Sequence, residues 1–462
     1  MAPSPAGWRT ELRELLQLSW PILVTQLAHT GMAVTDTVMA GSVSPGDLAA
    51  VALGASLWVP LFLFTISSLT AVTALIAQAW GAGNMGRIAL MFQQGRWLAL
   101  LLGCTGSLLL LATDPLLEWM DVEAAMRADG HAYLRAVALG LPAAGLYQTL
   151  RALSEGTGSS RPVMAIALAG FLLNIPLNAA LIYGWLGLPA LGGVGCGYAT
   201  ASVMWFNLFA MWRVLRRSPR LPRAVWPTGW GRPRRVPLTR IAGLGLPIGA
   251  AVFAEASIFA LVTLLIGHMG AVAVASHQVA TSFSSVTFMI PLSLGLGLTV
   301  RVGHALGAGQ PARARVVVAL GLALAMGIAL FNTSLMVLTP GPIVALYSSD
   351  EAVRSLAATL LVYAAVYQLA DAIQVGAAGA LRGYHDTRAT MVITLFAYWG
   401  VGLPLGYSLG LRDWLVPAMG VPGLWIGLGS GLTMAALLLG WRLYRISHRA
   451  PSTPGRPGRQ TA

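Results

Sequence analysis

Residues 246–267 read LPIGAAVFAEASIFALVTLLIG, an uninterrupted apolar run with one carboxylate near its middle. Because an α-helix rises about 1.5 Å per residue, a run of about 20 apolar residues is long enough to cross a bilayer. Glu255 would then lie roughly 18 Å from the outer end of its helix. A charge at that depth costs on the order of 3 kcal/mol on insertion scales. We therefore expect Glu255 to face a bundle interior or a cavity; the alternative is a protonated, purely structural Glu255.

The whole chain has the composition of a membrane protein. Of its 462 residues, 56% are hydrophobic and 10% are charged, whereas soluble domains have about 25% charged residues. Continuous apolar runs predict an all-α polytopic membrane protein with about twelve transmembrane helices and no soluble domain. The predicted spans are 15–40, 48–78, 94–113, 130–153, 162–183, 193–212, 240–266, 276–305, 316–338, 353–380, 389–410 and 421–441.

The charges are divided between the two sides of the predicted bundle. All 29 basic residues are arginine, and the formal net charge is +13. The arginines gather in the hairpins and the long loop on one side and in the C-terminal tail, while acidic residues dominate the other side. This asymmetry predicts that both termini are cytoplasmic and argues against nucleic acid as the partner. The N-terminus lacks the features of a removed signal peptide, and Cys104 and Cys196 predict neither a disulfide nor a metal site.

An internal repeat divides the chain into two halves. At an offset of 226, Pro21 aligns with Pro247, and Gly81-Ala82-Gly83 aligns with Gly307-Ala308-Gly309. Six helices per copy give both halves the same orientation in the membrane. We predict two pseudo-symmetric six-helix lobes around a central cavity. Their ranges are 1–217 for the N-terminal lobe, 218–237 for a basic cytoplasmic linker, 238–445 for the C-terminal lobe and 446–462 for a disordered basic tail.

The deeply embedded acids do not follow the repeat. Tyr363, Tyr367 and Asp371 share one stripe of the tenth span at four-residue intervals. Aromatic faces and a carboxylate favour a cation, so the stripe and Glu255 predict a cation site; the alternative is that the tyrosines only pack and that Asp371 bonds a neighbouring hydroxyl. The residues predicted for the wall of the substrate cavity are Gln278, Ser282, Ser285, Tyr363 and Gln374.

A second polar group is predicted in the N-terminal lobe. Asp36, Asn174, Asn178 and Thr200 lie at depths that agree to within about one helical turn, roughly 5.4 Å. Their oxygens could form a cage for Na⁺, or the four side chains could form a network that shares a proton. Pro176, between the two asparagines, would free a backbone carbonyl as a further ligand. A purely structural polar cluster is the remaining alternative.

Several short motifs are distributed between about residues 10 and 445, and as a set they are specific. They are Ser19-Trp20-Pro21, Thr35-Asp36-Thr37, Met39-Ala40-Gly41, Ala79-Trp80-Gly81-Ala82-Gly83, Glu155-Gly156, Arg161-Pro162, Asn174-Ile-Pro-Leu-Asn178, Ser276-His277-Gln278-Val279-Ala280 and Leu381-Arg382-Gly383-Tyr384-x-Asp386-Thr387-Arg388. In these motifs the chain resembles the multidrug and toxic compound extrusion (MATE) family, in its bacterial NorM-like branch.

The resemblance implies a secondary active antiporter that exports organic, often cationic, drugs and toxic compounds in exchange for Na⁺ or H⁺. It implies that Glu255, Asp371 and Tyr367 form the cation site of the C-terminal lobe, with Na⁺ at the two acids. Asp36, Asn174, Asn178 and Thr200 look like the cation or proton site of the N-terminal lobe. The expected protein is a monomer in the bacterial inner membrane, is not an enzyme, and needs no cofactor besides the coupling ion.

A flippase for lipid-linked saccharides is the alternative function, since that related class shares the two-lobed plan. A flippase would need a basic cavity for pyrophosphate, whereas the predicted interior is acidic and has no arginine in the middle of a helix. A membrane enzyme would need a nucleophile and base, or a metal constellation, at the lipid–water boundary, and the sequence shows none.

Overall fold

The computed structural model describes residues 5–119, 124–187, 189–219, 221, 225–226, 229–414 and 416–448. Every regular element in these ranges is helical. The α-helices are α1 (Pro5–Gly41), α2 (Pro45–Gly81), α3 (Met85–Leu111), α4 (Asp114–Trp119), α5 (Ala124–Ala138), α6 (Leu141–Gly156), α7 (Arg161–Ile182), α8 (Gly193–Arg216), α9 (Arg235–Gly267), α10 (Ala271–Gly307), α11 (Pro311–Leu338), α12 (Pro340–Ala345), α13 (Glu351–Gly383), α14 (Thr387–Leu395), α15 (Leu403–Leu411) and α16 (Val421–His448).

Several helices begin at side chains that cap the free backbone N–H groups of the first turn. The Ser44 hydroxyl accepts from the Asp47 N–H at 3.0 Å and starts α2. The Asp350 carboxylate does the same for α13, accepting from the Val353 N–H at 3.0 Å. These caps stand at the ends of apolar runs, so the boundaries of the long helices follow from the sequence.

The long elements make twelve membrane-crossing units. The fourth unit consists of α5 and α6, which meet at a break at Leu139–Gly140. The eleventh consists of α14, a π-helical segment (Phe396–Gly402) and α15. Within the described ranges, nine of the units are long and apolar enough to span a bilayer, judged by length and composition alone. The continuous span predicted for residues 130–153 is therefore corrected, because Gly140 and Pro142 interrupt it.

The internal repeat is visible in the helix boundaries. α2 and α10 both have 37 residues and end at Gly81 and Gly307, 226 positions apart. The short helices α4 and α12 begin at Asp114 and Pro340, at the same offset. The two lobes differ where α13 runs unbroken through the region that α5 and α6 divide in the first lobe. The molecule is thus two pseudo-symmetric six-helix lobes, each with its own apolar core.

The two lobes pack together at one end of the molecule, which carries the hairpins 82–84, 157–160, 308–310 and 384–386. We call this end the arginine-rich side, because arginines flank these hairpins in the sequence. A side-chain carbon at Gly81 would collide with the His304 backbone, and one at Gly307 would collide with the Gln78 carbonyl. Only glycine permits such an approach of two backbones. The His304 ring also lies 2.8 Å from the Gly156 carbonyl oxygen.

Ion pairs reinforce this contact. Glu11 of α1 pairs with Arg301 of α10, and it accepts from Arg313 of α11 at 2.6 Å. Arg301 also lies 2.5 Å from the Glu14 carboxylate. Because Glu11 and Glu14 belong to the first lobe and both arginines to the second, the four side chains join the lobes.

The described part of the linker between the lobes lies against α3. The Gln94 side chain donates to the Arg232 carbonyl at 3.1 Å and accepts from the Arg234 N–H at 2.8 Å. Residues 220, 222–224 and 227–228 of the predicted linker lie outside the described residues, and its last three residues already belong to α9. The predicted tail at 446–462 is corrected at its start, because α16 continues to His448; the rest lies outside the described residues.

Candidate substrate and ion sites

A cavity of about 520 Å³ lies between the lobes. The first lobe contributes residues of α1, α2 and α6 to its wall, and the second lobe contributes residues of α9, α10, α13, α14 and α16. Most of the surface that the wall exposes is apolar, although more than half of the lining residues have a polar or charged group. This combination is typical of sites for drug-sized ligands, in which apolar surface supplies affinity and polar groups fix orientation.

Two acids of the second lobe face this cavity. Glu255 of α9 and Asp371 of α13 both line the wall. Asp371 is 6% exposed, and its Oδ1 atom is buried without a hydrogen-bond partner in the described residues. The Tyr398 hydroxyl donates to Gln374 Oε1 at 2.9 Å and also lies beside Glu255. The wall therefore contains a carboxyl oxygen that has no hydrogen-bond partner in the described residues.

Tyr367 completes the predicted second-lobe site on the same wall. Its side chain is 7% exposed, and its ring lies 5.9 Å from the Trp425 ring, centroid to centroid. In the part of the chain that the structure describes, no group of three or more His, Cys, Asp or Glu side chains could hold a metal ion. A Na⁺ ion here would therefore also need hydroxyl, amide or backbone oxygens, and Gln374 Oε1 is one such atom on the wall.

Two of the five residues predicted for the cavity wall, Ser285 and Gln374, line it. The other three residues are not part of this lining, and a role for them in substrate binding stays a prediction. Gln278 and Ser282 hydrogen bond to each other at 3.3 Å outside the lining, because the α10 residues on the wall begin at Thr281 and Ser282 points elsewhere. Tyr363 lies one helical turn beyond Tyr367 and packs against the apolar core of the second lobe.

The four polar residues predicted in the first lobe meet between α1, α7 and α8. Asp36 is 9% exposed and accepts at Oδ1 from Asn178 Nδ2 at 2.6 Å and from Asn174 Nδ2 at 3.2 Å. The Thr200 hydroxyl donates to Asp36 Oδ2 at 2.9 Å. The amide nitrogens, rather than the amide oxygens, face the carboxylate. The four side chains thus form a hydrogen-bonded network in this structure, and an ion site there stays a prediction.

This network is separate from the central cavity, because none of its four residues lines the cavity wall. Asn178 Nδ2 donates a second bond, to Asn174 Oδ1 at 3.1 Å, and Asn178 Oδ1 is buried without a donor within the described ranges. A change of charge on Asp36 would therefore alter contacts among three helices of one lobe.

Sequence reasoning missed three charged residues of the cavity wall. Arg151 and Glu155 of α6 are buried and form an ion pair at 2.7 Å, and Arg382 stands near the end of α13. The expectation that no arginine lies in the middle of a helix facing the interior is therefore wrong. Glu155 and Arg382 belong to two of the motifs quoted above, Glu155-Gly156 and Leu381-Arg382-Gly383, and that membership was the available signal.

Comparison with known proteins agrees with the internal repeat. The family model described as MatE matches residues 21–180 and again residues 247–408. Each match covers most of one lobe, and together they cover more than half of the chain.

Curated relatives and solved structures match along nearly the whole chain. The multidrug resistance protein PmpM of Pseudomonas aeruginosa is 50% identical and covers 96% of this chain and 93% of its own length. The multidrug resistance protein NorM of Vibrio vulnificus is 44% identical, with 95% and 96% covered. A structure of the MATE transporter NorM-NG in complex with a monobody has a TM-score of 0.76 at 33% identity and covers 93% of both chains.

The eukaryotic MATE transporter AtDTX14 has the same fold, with a TM-score of 0.86 at 20% identity, covering 96% of this chain and 98% of its own. The repeated family match and the extended identity to named relatives agree with the two-lobed structure. This multi-pass membrane protein belongs to the multidrug and toxic compound extrusion family, in its bacterial NorM-like branch.

Proposed function

We propose that this protein is a secondary active antiporter that exports organic, often cationic, compounds in exchange for Na⁺ or H⁺. Relatives named multidrug resistance proteins support the export of small molecules. The observation that carries the proposal is the free, buried Oδ1 of Asp371 on the cavity wall beside Glu255. We assign no catalytic residue, and we propose that the protein is a monomer that needs no cofactor.

Competition for these two acids would couple the ion to the drug. A Na⁺ ion or proton that neutralises Glu255 or Asp371 removes the attraction that holds a cationic drug in the cavity. By linkage, the drug must weaken the binding of the ion by the same factor. The Tyr367 ring, one helical turn from Asp371 on the same wall, suits a cation as well, because the faces of aromatic rings are negative.

The Asp36 network would act as a second site for the coupling ion. The Asp36 carboxylate accepts three hydrogen bonds. A protonated Asp36 would have an O–H group that needs an acceptor, whereas the three groups around it are donors. Protonation would therefore rearrange the contacts between α1, α7 and α8. We propose that this rearrangement links the uptake of the ion to the shape of the first lobe.

The arginine-rich side would face the cytoplasm of the bacterial inner membrane, and both chain ends would lie there. In that orientation the lobes are packed together at the cytoplasmic end, and the cavity lies outward of their contact. The proposal is then that the structure corresponds to an outward-facing state, ready to release a drug or to accept an ion from outside.

One observation favours the flippase alternative: two basic residues, Arg151 and Arg382, line the cavity. Arg151 is neutralised by Glu155, however, and three acids stand on the same wall. Lipophilic cations and lipid phosphates distinguish the two functions. We expect tetraphenylphosphonium to raise the melting temperature of the purified protein, and a lipid pyrophosphate to leave it unchanged; the opposite pattern would favour the flippase.

The antiporter itself is tested by dye efflux from proteoliposomes under separate Na⁺ and pH gradients. We expect E255Q and D371N each to reduce ion-driven efflux of the dye rhodamine 123 at least about tenfold, the effect of losing roughly 1.4 kcal/mol of interaction. S285A, an uncharged change on the same wall, is the matched control and should retain most of the efflux. Undiminished efflux by both acid variants, with unchanged melting temperatures, would exclude this mechanism.

A further inference from the structure

Arg382 is a charged residue of the cavity wall for which the described chain provides no partner. It is the second-last residue of α13, and its Nε atom is buried without a hydrogen-bond acceptor in the described ranges. No carboxylate of these ranges comes within the 4.0 Å of an ion pair. A guanidinium group has five N–H donors in a rigid plane. Arg382 therefore presents free donors and a positive charge to the cavity.

Two other arginines with little exposure are neutralised by acids. Arg151, the second arginine on the cavity wall, pairs with Glu155 at 2.7 Å. Arg301 of α10 pairs with Glu11 and Glu14. Arg382 differs from both, because no acid lies within ion-pair distance of it in the described ranges.

A free hydroxyl group stands on the same wall. Thr387, the first residue of α14, is 3% exposed, and its Oγ1 atom is buried without a partner among the described residues. A tight turn brings it back toward α13, since the Asp386 N–H donates to the Leu381 carbonyl at 2.9 Å. Thr390 also lines the cavity, but its hydroxyl already donates to the Asp386 carbonyl at 2.9 Å.

The turn between α13 and α14 adds no further positive charge, and its one acid, Asp386, pairs with Arg442 at 2.6 Å. His385 lies between α13 and α14, and burial lowers its pKa to about 4, with repulsion from Arg240 and Arg87 acting in the same direction. The imidazole is therefore neutral at physiological pH. Arg382 and Glu255 interact electrostatically, and no hydrogen bond or ion pair joins them in the described ranges. The cavity wall thus carries the acids Glu255 and Asp371 together with the base Arg382.

We propose that Arg382 and Thr387 form a subsite for a carboxylate group of the transported compound. The guanidinium plane matches both oxygens of a carboxylate, and the Thr387 hydroxyl supplies a further donor. The inference rests on the proposed export of organic cations and adds a subsite for a second group of the transported compound. The amine of such a compound binds at Glu255 and Asp371, and its carboxylate binds at Arg382. A cavity of about 520 Å³ has room for a drug-sized molecule.

Two dyes test the subsite directly, because they differ only at the group in question. Rhodamine 110 has a free carboxylate, and rhodamine 123 is its methyl ester; both have the same cationic ring system. Binding of each dye to the purified full-length protein is measured by fluorescence polarisation. We expect R382Q to weaken the binding of rhodamine 110 about tenfold or more, because a charge-assisted hydrogen bond is lost, while rhodamine 123 changes less than about twofold.

Three further variants separate recognition from folding. R382K keeps the charge but loses the planar fork, and we expect it to restore part of the affinity for rhodamine 110. T387V removes a hydroxyl that has no partner in the described chain, so it should fold normally and weaken rhodamine 110 about threefold relative to rhodamine 123. T390V is the matched control, and it should affect both dyes equally because its hydroxyl proton already has an acceptor.

Equal losses of both dyes in R382Q and T387V, or wild-type protein that does not bind rhodamine 110, would overturn the subsite. Ion-driven efflux of rhodamine 123 by the wild-type protein is measured in parallel. If that efflux is absent, the proposed antiport fails, whereas the carboxylate subsite is judged by the ratio of the two binding affinities alone.

Discussion

At the scale of single residues, the Asp36 carboxylate depends on three neighbours that all donate to it. Asn174 and Asn178 donate to one oxygen and Thr200 donates to the other. A carboxylate has only acceptors, so it can satisfy all three donors at once. The same geometry makes the position sensitive to any change that introduces a donor.

Asp36→Asn replaces one accepting oxygen by an NH₂ group. At least one donor would then face another donor, and leaving a buried donor unpaired costs about 1–3 kcal/mol. We expect D36N to lower the melting temperature of the purified protein and to abolish ion-driven dye efflux. T35V is the control, because the Thr35 hydroxyl bonds only the Gly31 carbonyl of its own helix. A D36N protein as stable as T35V would contradict the three-donor network.

The sequence was sufficient to find this network, but it did not identify Arg151, Glu155 and Arg382 as charged residues of the cavity wall. Asp36, Asn174, Asn178 and Thr200 could be grouped because similar depths in separate helices place side chains at one level. Arg382 stands near a helix end, where arginines normally face water. Only the packing of the two lobes shows that this end is enclosed, and linear position contains no such information.

At the scale of elements, the eleventh membrane unit also has a feature that the sequence did not predict. Residues 389–410 were predicted as one regular helix, and the structure has the π-helical segment Phe396–Gly402 within it. The segment directs Tyr398 to Gln374 and Glu255, and it directs the Trp399 N–H to the Ala254 carbonyl at 3.2 Å. Apolar periodicity identifies a span but does not distinguish 3.6 residues per turn from a local π-bulge.

The contact between α15 and α16 depends on small residues in the same region. A side-chain carbon at Gly427 would collide with the Gly406 backbone, whereas one at Gly429 would make an ordinary contact with Tyr367 at 3.5 Å. Both glycines lie inside α16, so replacement by alanine gains about 1 kcal/mol of helix propensity at either position. The two sites therefore differ only in the space around them.

We expect G427A to destabilise the protein by about 1–3 kcal/mol, because overpacking forces the two helices apart. G429A should be neutral or slightly stabilising. Thermal unfolding in detergent, followed by circular dichroism, compares the two variants. Equal melting temperatures would show that α15 and α16 are not held at the close approach described here.

At the scale of the whole molecule, the repeated scaffold and its charges follow different rules. α2 and α10, with equal lengths and offsets, show that the duplicated unit determines the shape of the molecule. The acids are distributed unequally: Asp36 lies in a closed network of one lobe, and Glu255 and Asp371 face the cavity from the other. In the proposed antiport, a symmetric frame with unequal lobes would offer the coupling ion two different environments.

The arginine-rich side holds the lobes together through Glu11, Glu14, Arg301 and Arg313. Glu11→Gln removes the charge between the two arginines, and hydrogen bonds to charged groups contribute about 1.5–3 kcal/mol. A loss of 1–3 kcal/mol shifts a two-state equilibrium by roughly 5–150-fold. If separation of the lobes at this side is the alternative state, E11Q should populate it measurably.

Spin labels at Gly86 and Ala312, equivalent exposed positions of the two lobes, would report the change in a cysteine-free background. We expect E11Q to add a population with a longer label-to-label distance in double electron–electron resonance. D386N is the matched control. The Asp386–Arg442 pair has the same distance as the Glu11–Arg313 pair, 2.6 Å, but both of its residues lie within one lobe. If D386N and E11Q give the same distance distribution, the four-residue cluster does not govern the separation of the lobes. Other contacts at this side, such as those at Gly81, Gly307 and His304, must then hold it closed.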